Sequence, residues 1–285
     1  MELPSGGSMS TMKRILTYTT LLVLAFIFLA PFLWMTVSSF KPQADIFAST
    51  MPLQWEAFWV SQPTLEHYVK VFNAVPFARY LLNTLFVAVT VTFGHLLVAS
   101  LAAFAFARLQ FPGRDALFIV VLSTMIIPGE VTFMPLFMVI KTLGWIDQYA
   151  ALIVPPLFGA FGIFLLRQFF RDIPRDLEDA ARIDGCTIPG IYWHIILPLG
   201  KAALITLGLL VFMGEWGSFL WPLVVMNSPE KQVIQVGIAG FTTTYGIYWG
   251  RVMAASAMAS VPIILLFVVL QKYYVRGIAM SGIKG

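Results

Sequence analysis

The residues of this sequence best suited to chemistry form a charged stretch at residues 176–200, DLEDAARIDGCTIPGIYWHIILPLG. At helical spacing Leu177, Ala180 and Ala181 share a narrow apolar stripe, and the charged side chains occupy the other faces. Small alanine side chains let another surface approach closely, so the pattern favours a protein-docking helix. A solvated loop with no special role is the alternative, and it is the commoner case for an arbitrary loop.

Two carboxylates, Glu130 and Glu215, fall inside long apolar runs. Each lies about 14 to 16 residues into its run, roughly 20 Å along a straight helix at about 1.5 Å per residue, which predicts a position in the outer half of a bilayer. An ionisable group inside a membrane faces the protein interior or a water-filled cavity and marks a functional site by default. We therefore predict that both line a solute path, with a gating or packing role as the alternative.

Trp216 and Asn83 are further candidates for the solute path. Trp216, with Phe219 and Trp221 nearby, has the flat apolar surface that stacks on a sugar, although aromatic side chains near a membrane boundary more commonly act as interfacial anchors. Asn83 and His95 lie in one apolar run, where each either contacts a solute or forms a hydrogen bond inside the protein.

Several kinds of chemistry have no support in the sequence. Gly200-Lys201 lacks the preceding Gly and the following hydroxyl of a phosphate-binding loop, so we do not expect this chain to hydrolyse ATP. The three histidines are scattered, and Cys186 is the only cysteine, which gives neither metal-ligand spacing nor a disulfide. We expect no metal site, no enzymatic activity and no nucleic-acid partner.

The elements that carry these residues are membrane helices. Of the 285 residues, 59% are hydrophobic and 11% are charged, whereas a soluble domain has about 25% charged residues. We predict an all-α polytopic membrane protein, with a flexible leader at residues 1–14 and a single transmembrane domain at residues 15–285. Its six spans are residues 15–37, 77–107, 116–140, 149–169, 199–225 and 251–270. Pro128 and Gly129 interrupt the third span, and Pro155 and Pro156 lie near the start of the fourth.

The distribution of basic residues predicts the orientation. With a cytoplasmic N-terminus, the inner side holds Lys13, Arg14, Arg108, Arg114, Arg167, Arg171, Arg175, Arg182, Lys201, Lys272, Arg276 and Lys284. The outer side holds Lys41, Lys70, Arg79, Lys141, Lys231 and Arg251. Because Lys and Arg are enriched on the cytoplasmic side, we expect both termini and the charged stretch at residues 172–198 to be cytoplasmic.

The charged stretch predicts two short helices in a hairpin. Asp172 can cap the first helix, Pro174 suits its first turn, and Gly185 can supply the left-handed residue that ends it. Thr187 begins the second helix, and Pro198 separates that helix from the fifth span.

This hairpin resembles the EAA signature of ABC importer permeases, in which a Glu, paired Ala and a Gly precede a Leu-Pro at a fixed distance. The matching residues are Glu178, Ala180, Ala181, Asp184, Gly185, Ile196, Leu197 and Pro198. The stretches RLQFPGRDALF, LLRQFFRDIPRDLEDAARIDG, EWGSFLWPLVV and YYVRGI extend the resemblance over nearly the whole chain after the leader. It is greatest to the six-helix permeases of the carbohydrate uptake group, such as the maltose and glycerol-phosphate importers. Cys186 stands where Ala is usual, and Gly217 stands where many relatives carry Asn.

The resemblance implies a type I permease fold in a bacterial inner membrane, with the hairpin as a coupling helix seated in a cleft of a cytoplasmic ATPase. It implies as partners a homologous sister permease, two ABC ATPase subunits, an extracytoplasmic solute-binding protein and membrane lipids. ATP and Mg²⁺ are used by the ATPases, and this chain binds no cofactor. Closure of the ATPases then moves the hairpin as a rigid lever, and the fourth and fifth spans transmit the movement to a central cavity.

Three alternatives to a sugar, oligosaccharide or polyol importer remain open at this point. A glycerol-phosphate or glycerophosphodiester importer needs a basic pocket, and few basic residues lie within the spans. An ion-coupled carrier that uses Glu130 and Glu215 is expected to transport when reconstituted alone. A membrane scaffold explains the hairpin but neither the broken helices nor the carboxylates.

Overall fold

The computed structural model describes the backbone of residues 11–50, 52, 54–243 and 246–282 and the side chains of residues 12–50, 52, 54–242 and 246–271. Residues 1–10 of the predicted leader lie outside this range, and residues 11–14 already belong to the first helix. The basic side chains predicted inside at residues 272, 276 and 284 also lie outside it.

Helices make up almost the whole described fold. In chain order they are α1 (Thr11–Ser38), α2 (Glu66–Ala74), α3 (Phe77–Arg108), α4 (Arg114–Ser123), α5 (Gly129–Thr142), α6 (Tyr149–Ile153), α7 (Ala160–Asp172), α8 (Asp176–Ile183), α9 (Ile188–Ile191), α10 (Leu197–Leu199), α11 (Lys201–Trp216), α12 (Leu220–Val225), α13 (Ile234–Ala239) and α14 (Trp249–Gly282). An antiparallel pair of two-residue strands, β1 (Thr242–Thr243) and β2 (Gly246–Ile247), is the only sheet in the described part of the chain. The all-α prediction is confirmed.

Three helical segments are each long and apolar enough to cross a membrane: Met12–Ser38, Phe77–Arg108 and Trp249–Gln271. Three further spans are bent pairs: Arg114–Ile126 with Gly129–Thr142 at 100°, Tyr149–Leu157 with Ala160–Asp172 at 41°, and Ile188–Leu199 with Lys201–Trp216 at 77°. If each bent pair counts as one span, the fold has the six spans that the sequence predicts.

The first two bends have the proline cause that the sequence indicates. Ile127 is extended before Pro128, since the proline ring disfavours helical backbone in the residue before it, and α5 begins only at Gly129. Pro155 and Pro156 form a 3₁₀ turn, and the extended Phe158 follows before α7 begins.

The predicted limits of the fifth span were wrong at both ends. The break before α11 is at Gly200 and not at Pro198, because helical backbone continues from α9 through a π-helical turn, Tyr192–Ile196, and past Pro198 to the end of α10. A Cβ at Gly200 would lie 2.6 Å from a ring carbon of Phe170, so only glycine fits there without a rearrangement. At the other end α11 stops at Trp216, and α12 begins four residues later.

The described residues form two compact units. The first comprises the described residues up to Ala74 with those of Gly240–Met258, and the second comprises Val75–Ala239 with the described residues from Ala259 onward. In the first unit Lys41 is buried, and its Nζ donates to the carbonyls of Glu56 and Ala57, both at 2.8 Å. Burial lowers the pKa of Lys41. Its two hydrogen bonds close the loop that follows α1.

The second unit is built around α3, which packs against α7 and α11. A Cβ at Gly162 of α7 would lie 2.5 Å from Nε2 of His95 and 3.1 Å from Leu207, so this glycine lets the three helices approach closely. His95 also makes a 2.8 Å hydrogen bond between Nδ1 and the Pro156 carbonyl, which makes it a core residue of this unit.

Candidate functional site

The first helix of the hairpin, α8, ends in the way that the sequence predicts. Gly185 has φ +82°. The Cys186 amide donates to the Ala181 carbonyl at 2.8 Å, and the Gly185 amide donates to the Arg182 carbonyl at 3.0 Å. This pair of bonds is a complete Schellman motif, which satisfies the last carbonyls of the helix and fixes the direction in which the chain leaves it.

The predicted cap at the start of α8 was wrong. Asp172 is the last residue of α7, and the residue that precedes α8 is Arg175, whose side chain makes no capping bond. Ile173 is extended because Pro174 follows it, so α7 ends at Asp172. Asp172 therefore does not lie directly before α8, where a capping residue has to be. The predicted start of the second limb is confirmed, since the Thr187 hydroxyl accepts a hydrogen bond from the Gly190 amide at 3.4 Å.

Glu178 points into the protein. Its carboxylate forms an ion pair with Arg108 at the end of α3, with 3.0 Å between Nε and Oε1. The contact does not have the geometry of a hydrogen bond. The two side chains are 2% and 5% exposed. Arg108 Nη2 also donates to the carbonyls of Phe170 and Ile173. Arg108 therefore ties α8 to the ends of α3 and α7.

The second limb of the hairpin is part of the core of its unit. Ile191 and Ile196 are buried, and the Tyr192 hydroxyl lies 2.7 Å from Ser100 Oγ in α3. Leu197 packs against the same cluster, whereas Pro198 is exposed. The hairpin is thus held to the helices of its unit through both limbs.

The other face of the hairpin is exposed and partly apolar. Ile183 is 87% exposed, and Leu177 and Ile188 are exposed as well. Of the predicted coupling residues, Ala180 and Asp184 share this outer surface, while Ala181 packs against the core. Large exposed apolar side chains beside charged ones are typical of a protein-interaction surface.

Glu215 lines a cavity of about 310 Å³ in the second unit. The wall is mostly apolar, and its polar side chains are those of Thr84, Glu215, Ser218 and Trp221. Trp221 is held in the wall by a 2.8 Å hydrogen bond from Nε1 to the Ala151 carbonyl. The Glu215 carboxylate has no hydrogen bond or ion pair with any residue that the structure describes, so it is available to a solute.

The other three predicted path residues do not lie on this cavity. Glu130 is exposed at the start of α5. The 100° bend at Pro128 interrupts the straight helix on which its predicted depth depends, so that estimate loses its basis. Trp216 is 1% exposed, and its Nε1 donates to the Ala259 carbonyl at 3.1 Å. Asn83 uses both amide hydrogens on the carbonyls of Glu230 and Gln232, and its carbonyl accepts from the Tyr149 hydroxyl.

Two residues that hold the surroundings of the candidate sites in place were not singled out from the sequence. Arg108 was noted only as one of the inner bases, and its partner Glu178 lies 70 positions further along the chain. Asp147 was not singled out, although an Asp shortly after Gly144 is a common turn signal. Within the described residues, no group of three or more His, Cys, Asp or Glu side chains is placed to hold a metal ion.

Asp147 joins two loops of the second unit. With φ +61°, its carboxylate accepts hydrogen bonds from the amides of Asn227 and Ser228 at 3.0 and 2.9 Å, from the Ser228 hydroxyl, and from Lys231 Nζ at 3.2 Å. These bonds, chiefly those from Ser228, hold the pKa of Asp147 well below its usual range.

We expect Asp147→Asn to speed hydrogen exchange at the amides of Asn227 and Ser228. Because the pKa is lower in the folded chain, the ionised carboxylate stabilises the fold at every pH above its unfolded pKa of about 3.9, and this contribution is lost as the pH falls through the folded value. The ratio of the exchange rate in the variant to that in the wild type should therefore be the same at pH 7 and pH 5. Mass spectrometry measures it, with Asp172→Asn as the control, and equal protection in the wild type and the Asp147 variant would contradict the assignment.

Comparisons with known proteins agree with this arrangement. Residues 95–280 match the family described as binding-protein-dependent transport system inner membrane component. The chain is 33% identical over 263 residues to the arabinooligosaccharides transport system permease protein AraQ of Halalkalibacterium halodurans, covering 92% of this chain and 93% of the relative. It is 34% identical over 279 residues to the trehalose/maltose transport system permease protein MalG of Thermococcus litoralis, covering 96% and 98%.

Two further matches extend this result. The sn-glycerol-3-phosphate transport system permease protein UgpE of Yersinia pestis is 34% identical over 211 residues, covering 73% of this chain and 75% of the relative. A crystal structure of a bacterial ABC transporter involved in the import of the acidic polysaccharide alginate shares the fold, with a TM-score of 0.80, 23% identity, and coverage of 95% of this chain and 100% of that chain. The chain belongs to the family of binding-protein-dependent transport system inner membrane components.

Proposed function

We propose that this chain is the membrane-spanning permease subunit of an ATP-driven importer of a sugar, an oligosaccharide or a related polyol. The observation that carries the proposal is the two-sided hairpin. Arg108 and the second limb fix its inner side to the core, and its outer side presents Leu177, Ile183 and Ile188 without a partner in the described chain. Because the chain contains no phosphate-binding loop, ATP must be hydrolysed by another subunit, and that subunit needs an exposed surface on this chain to bind and move.

The partners follow from this role. The outer face of the hairpin sits in a cleft of an ABC ATPase, which binds ATP and Mg²⁺, and a homologous sister permease with a second ATPase completes the membrane assembly. The family description supports a solute-binding protein as the delivering partner. The excess of Lys and Arg at the hairpin end of the spans supports cytoplasmic N- and C-termini in a bacterial inner membrane.

The anchoring of the hairpin explains how its movement is transmitted to the solute cavity. When the ATPases close, they displace α8, and the ion pair of Arg108 and Glu178 carries α3 and α7 with it. The second limb continues through the bend at Gly200 into α11. Because Glu215 lies roughly 20 Å along α11 from Lys201, a movement of the hairpin at the start of α11 alters the shape of the Glu215 cavity near its other end.

The chemistry of the cavity favours a neutral polyhydroxylated solute. Glu215 and Ser218 accept hydrogen bonds from hydroxyl groups, and Trp221 offers a flat apolar surface. Its described lining contains no Lys or Arg that could pair with a phosphate ester. A glycerol phosphate is therefore the less favoured cargo.

The test is reconstitution of the chain with its co-expressed partner subunits in liposomes. We expect ATP hydrolysis to rise several-fold only when the binding protein and its sugar are both present, with the sugar accumulating inside. Transport by the chain alone along an ion gradient would instead identify an ion-coupled carrier. An assembly that never transports would identify a scaffold.

The same assay tests the solute path. Glu215→Leu should lower uptake about tenfold, the effect of losing one or two hydrogen bonds to the solute, while Glu130→Leu, at the exposed start of α5, should behave as the wild type. Normal uptake by the Glu215 variant would exclude the cavity from the path without affecting the proposed role of the hairpin.

A further inference from the structure

A second cavity of the same unit lies beside the hairpin and is strongly basic. It has a volume of about 300 Å³, and its charged lining residues are Arg114, Asp115, Arg167, Arg171 and Arg175. Four guanidinium groups around one carboxylate leave an excess of three positive charges. The preference for basic residues at cytoplasmic helix ends explains the sign of these charges, but it does not explain why they converge on one cavity.

The single carboxylate in the cavity is already used by one arginine. Asp115 pairs with Arg114 through two contacts, with 3.0 Å from Nε to Oδ1 and 3.2 Å from Nη2 to Oδ2. Arg167 Nη2 is 3.9 Å from the same Oδ1 atom, beyond hydrogen-bond distance. The Arg167 side chain is only 11% exposed, and its guanidinium lies 3.9 Å from the centre of the Phe118 ring. Arg167 Nε donates to the Phe106 carbonyl at 3.2 Å. This nearly buried cation thus has a neutral hydrogen-bond partner and only a distant counter-charge.

Arg171 and Arg175 add positive charge to the same place. Neither side chain forms a hydrogen bond or an ion pair with the residues that the structure describes, and both line the cavity. Arg167 and Arg171 are four residues apart on α7, so they share one face of the helix and repel each other. Like charges held together in this way are stabilised by a bound anion.

We propose that this cavity binds a phosphate-type anion, either the phosphodiester headgroup of an anionic phospholipid or inorganic phosphate. The planar guanidinium group matches the oxygens of a phosphate in a two-point contact, which makes arginine the residue best suited to this ligand. Basic pockets between membrane helices on the cytoplasmic side bind anionic headgroups. Since Arg171 lies at the end of α7 and Arg175 directly precedes α8, the anion holds together the junction that carries the hairpin.

The test uses the complete assembly, purified with its partner subunits and transferred into nanodiscs that contain phosphatidylglycerol and phosphatidylcholine. The double variant Arg171→Gln, Arg175→Gln removes two cavity charges from exposed positions. The double variant Arg14→Gln, Lys141→Gln removes two exposed charges elsewhere and serves as the control. Native mass spectrometry of the released complex counts the retained lipids, and thermal unfolding in detergent with added inorganic phosphate, against chloride at equal ionic strength, tests the free anion.

We expect the wild type and the control to retain phosphatidylglycerol in preference to phosphatidylcholine, and the cavity variant to lose this preference by about tenfold. If phosphate raises the unfolding temperature of the wild type and the control but not of the cavity variant, and no lipid preference is seen, the ligand is the free anion. If the cavity variant matches the control in both measurements, the proposal is overturned.

Discussion

Glu178→Lys should abolish solute uptake by the complete assembly while the chain still inserts into the membrane. The side chain is buried against Arg108, so the substitution places a second cation where the structure holds a carboxylate. Loss of one partner from a buried ion pair costs about 3 to 5 kcal/mol, because the remaining charge stays uncompensated. The substitution therefore weakens the attachment of α8 to α3 and α7 by this amount, and we expect uptake to fall at least about a hundredfold.

The neighbouring acid provides the control for this substitution. Asp179 is exposed, and its partner is Arg182 on the same helix at 3.1 Å. An exposed pair of this kind contributes at most about 1 kcal/mol, so Asp179→Lys should keep most of the uptake. Membrane fractions probed for the chain measure insertion of both variants, and uptake of labelled sugar measures coupling.

A double variant separates an anchoring role from direct contact with the ATPase. Replacing both members of a buried ion pair by apolar side chains of similar volume is often neutral, but Met at position 108 also leaves the carbonyls of Phe170 and Ile173 without their donor. Arg108→Met with Glu178→Met should therefore restore only part of the uptake that Glu178→Met alone removes. If Glu178 instead contacts the ATPase with its charge, the double variant stays inactive. Normal uptake by Glu178→Lys would remove the anchoring role altogether.

Local features of this fold could be predicted from the sequence because their causes are local. The apolar runs define the spans, Pro128 breaks the third, and Gly185 supplies the left-handed end of α8. The start of α8 could not be predicted from the capping pattern alone, because Pro174 acts on the backbone of the residue before it and ends α7 at Asp172.

The site was predicted only in part, since its geometry depends on contacts between distant residues. Glu215 was singled out because a carboxylate in an apolar run is unusual, and it lines a cavity, while its contact with a solute stays a prediction. Trp216 was also singled out as a candidate for the solute path, but its indole N–H donates to the Ala259 carbonyl inside the unit. Asn83 likewise finds backbone partners near residue 230. No spacing rule indicates which polar side chain inside a bundle is satisfied internally and which faces a cavity.

The inward position of Glu178 changes how the signature hairpin is understood. An acid in a docking motif is naturally expected to face the partner, yet here it faces Arg108, and the outer surface is built from Leu177, Ala180 and Ile183. The acid therefore fixes the position of the helix, and apolar side chains are exposed to the proposed ATPase partner. On this division of roles, any change that moves α8 without touching its outer face should also uncouple transport.

Gly185→Val is the substitution that tests this division, and we expect it to reduce uptake more than tenfold. A left-handed backbone costs an L-residue about 1 to 2 kcal/mol, and a β-branched side chain tolerates it least. No atom lies within 4 Å of the position that a Cβ would take at this residue, so the penalty comes from φ +82° and not from a clash. Relief of that strain requires loss of the bond from the Cys186 amide to the Ala181 carbonyl, which redirects the chain after α8 and displaces its outer face.

A series at this position and one control elsewhere separate backbone strain from general damage. Asn adopts the left-handed conformation more readily than Ala, and Ala more readily than Val, so uptake should fall in the order Gly, Asn, Ala, Val if strain is the cause. Gly144 has φ +69° and equally open surroundings in the loop after α5, so Gly144→Val applies the same strain away from the hairpin and should leave uptake near the wild-type level. Equal losses from the two valine variants would show that transport responds to strain anywhere in the unit, and a fully active Gly185→Val would show that the direction of the chain after α8 does not matter for coupling.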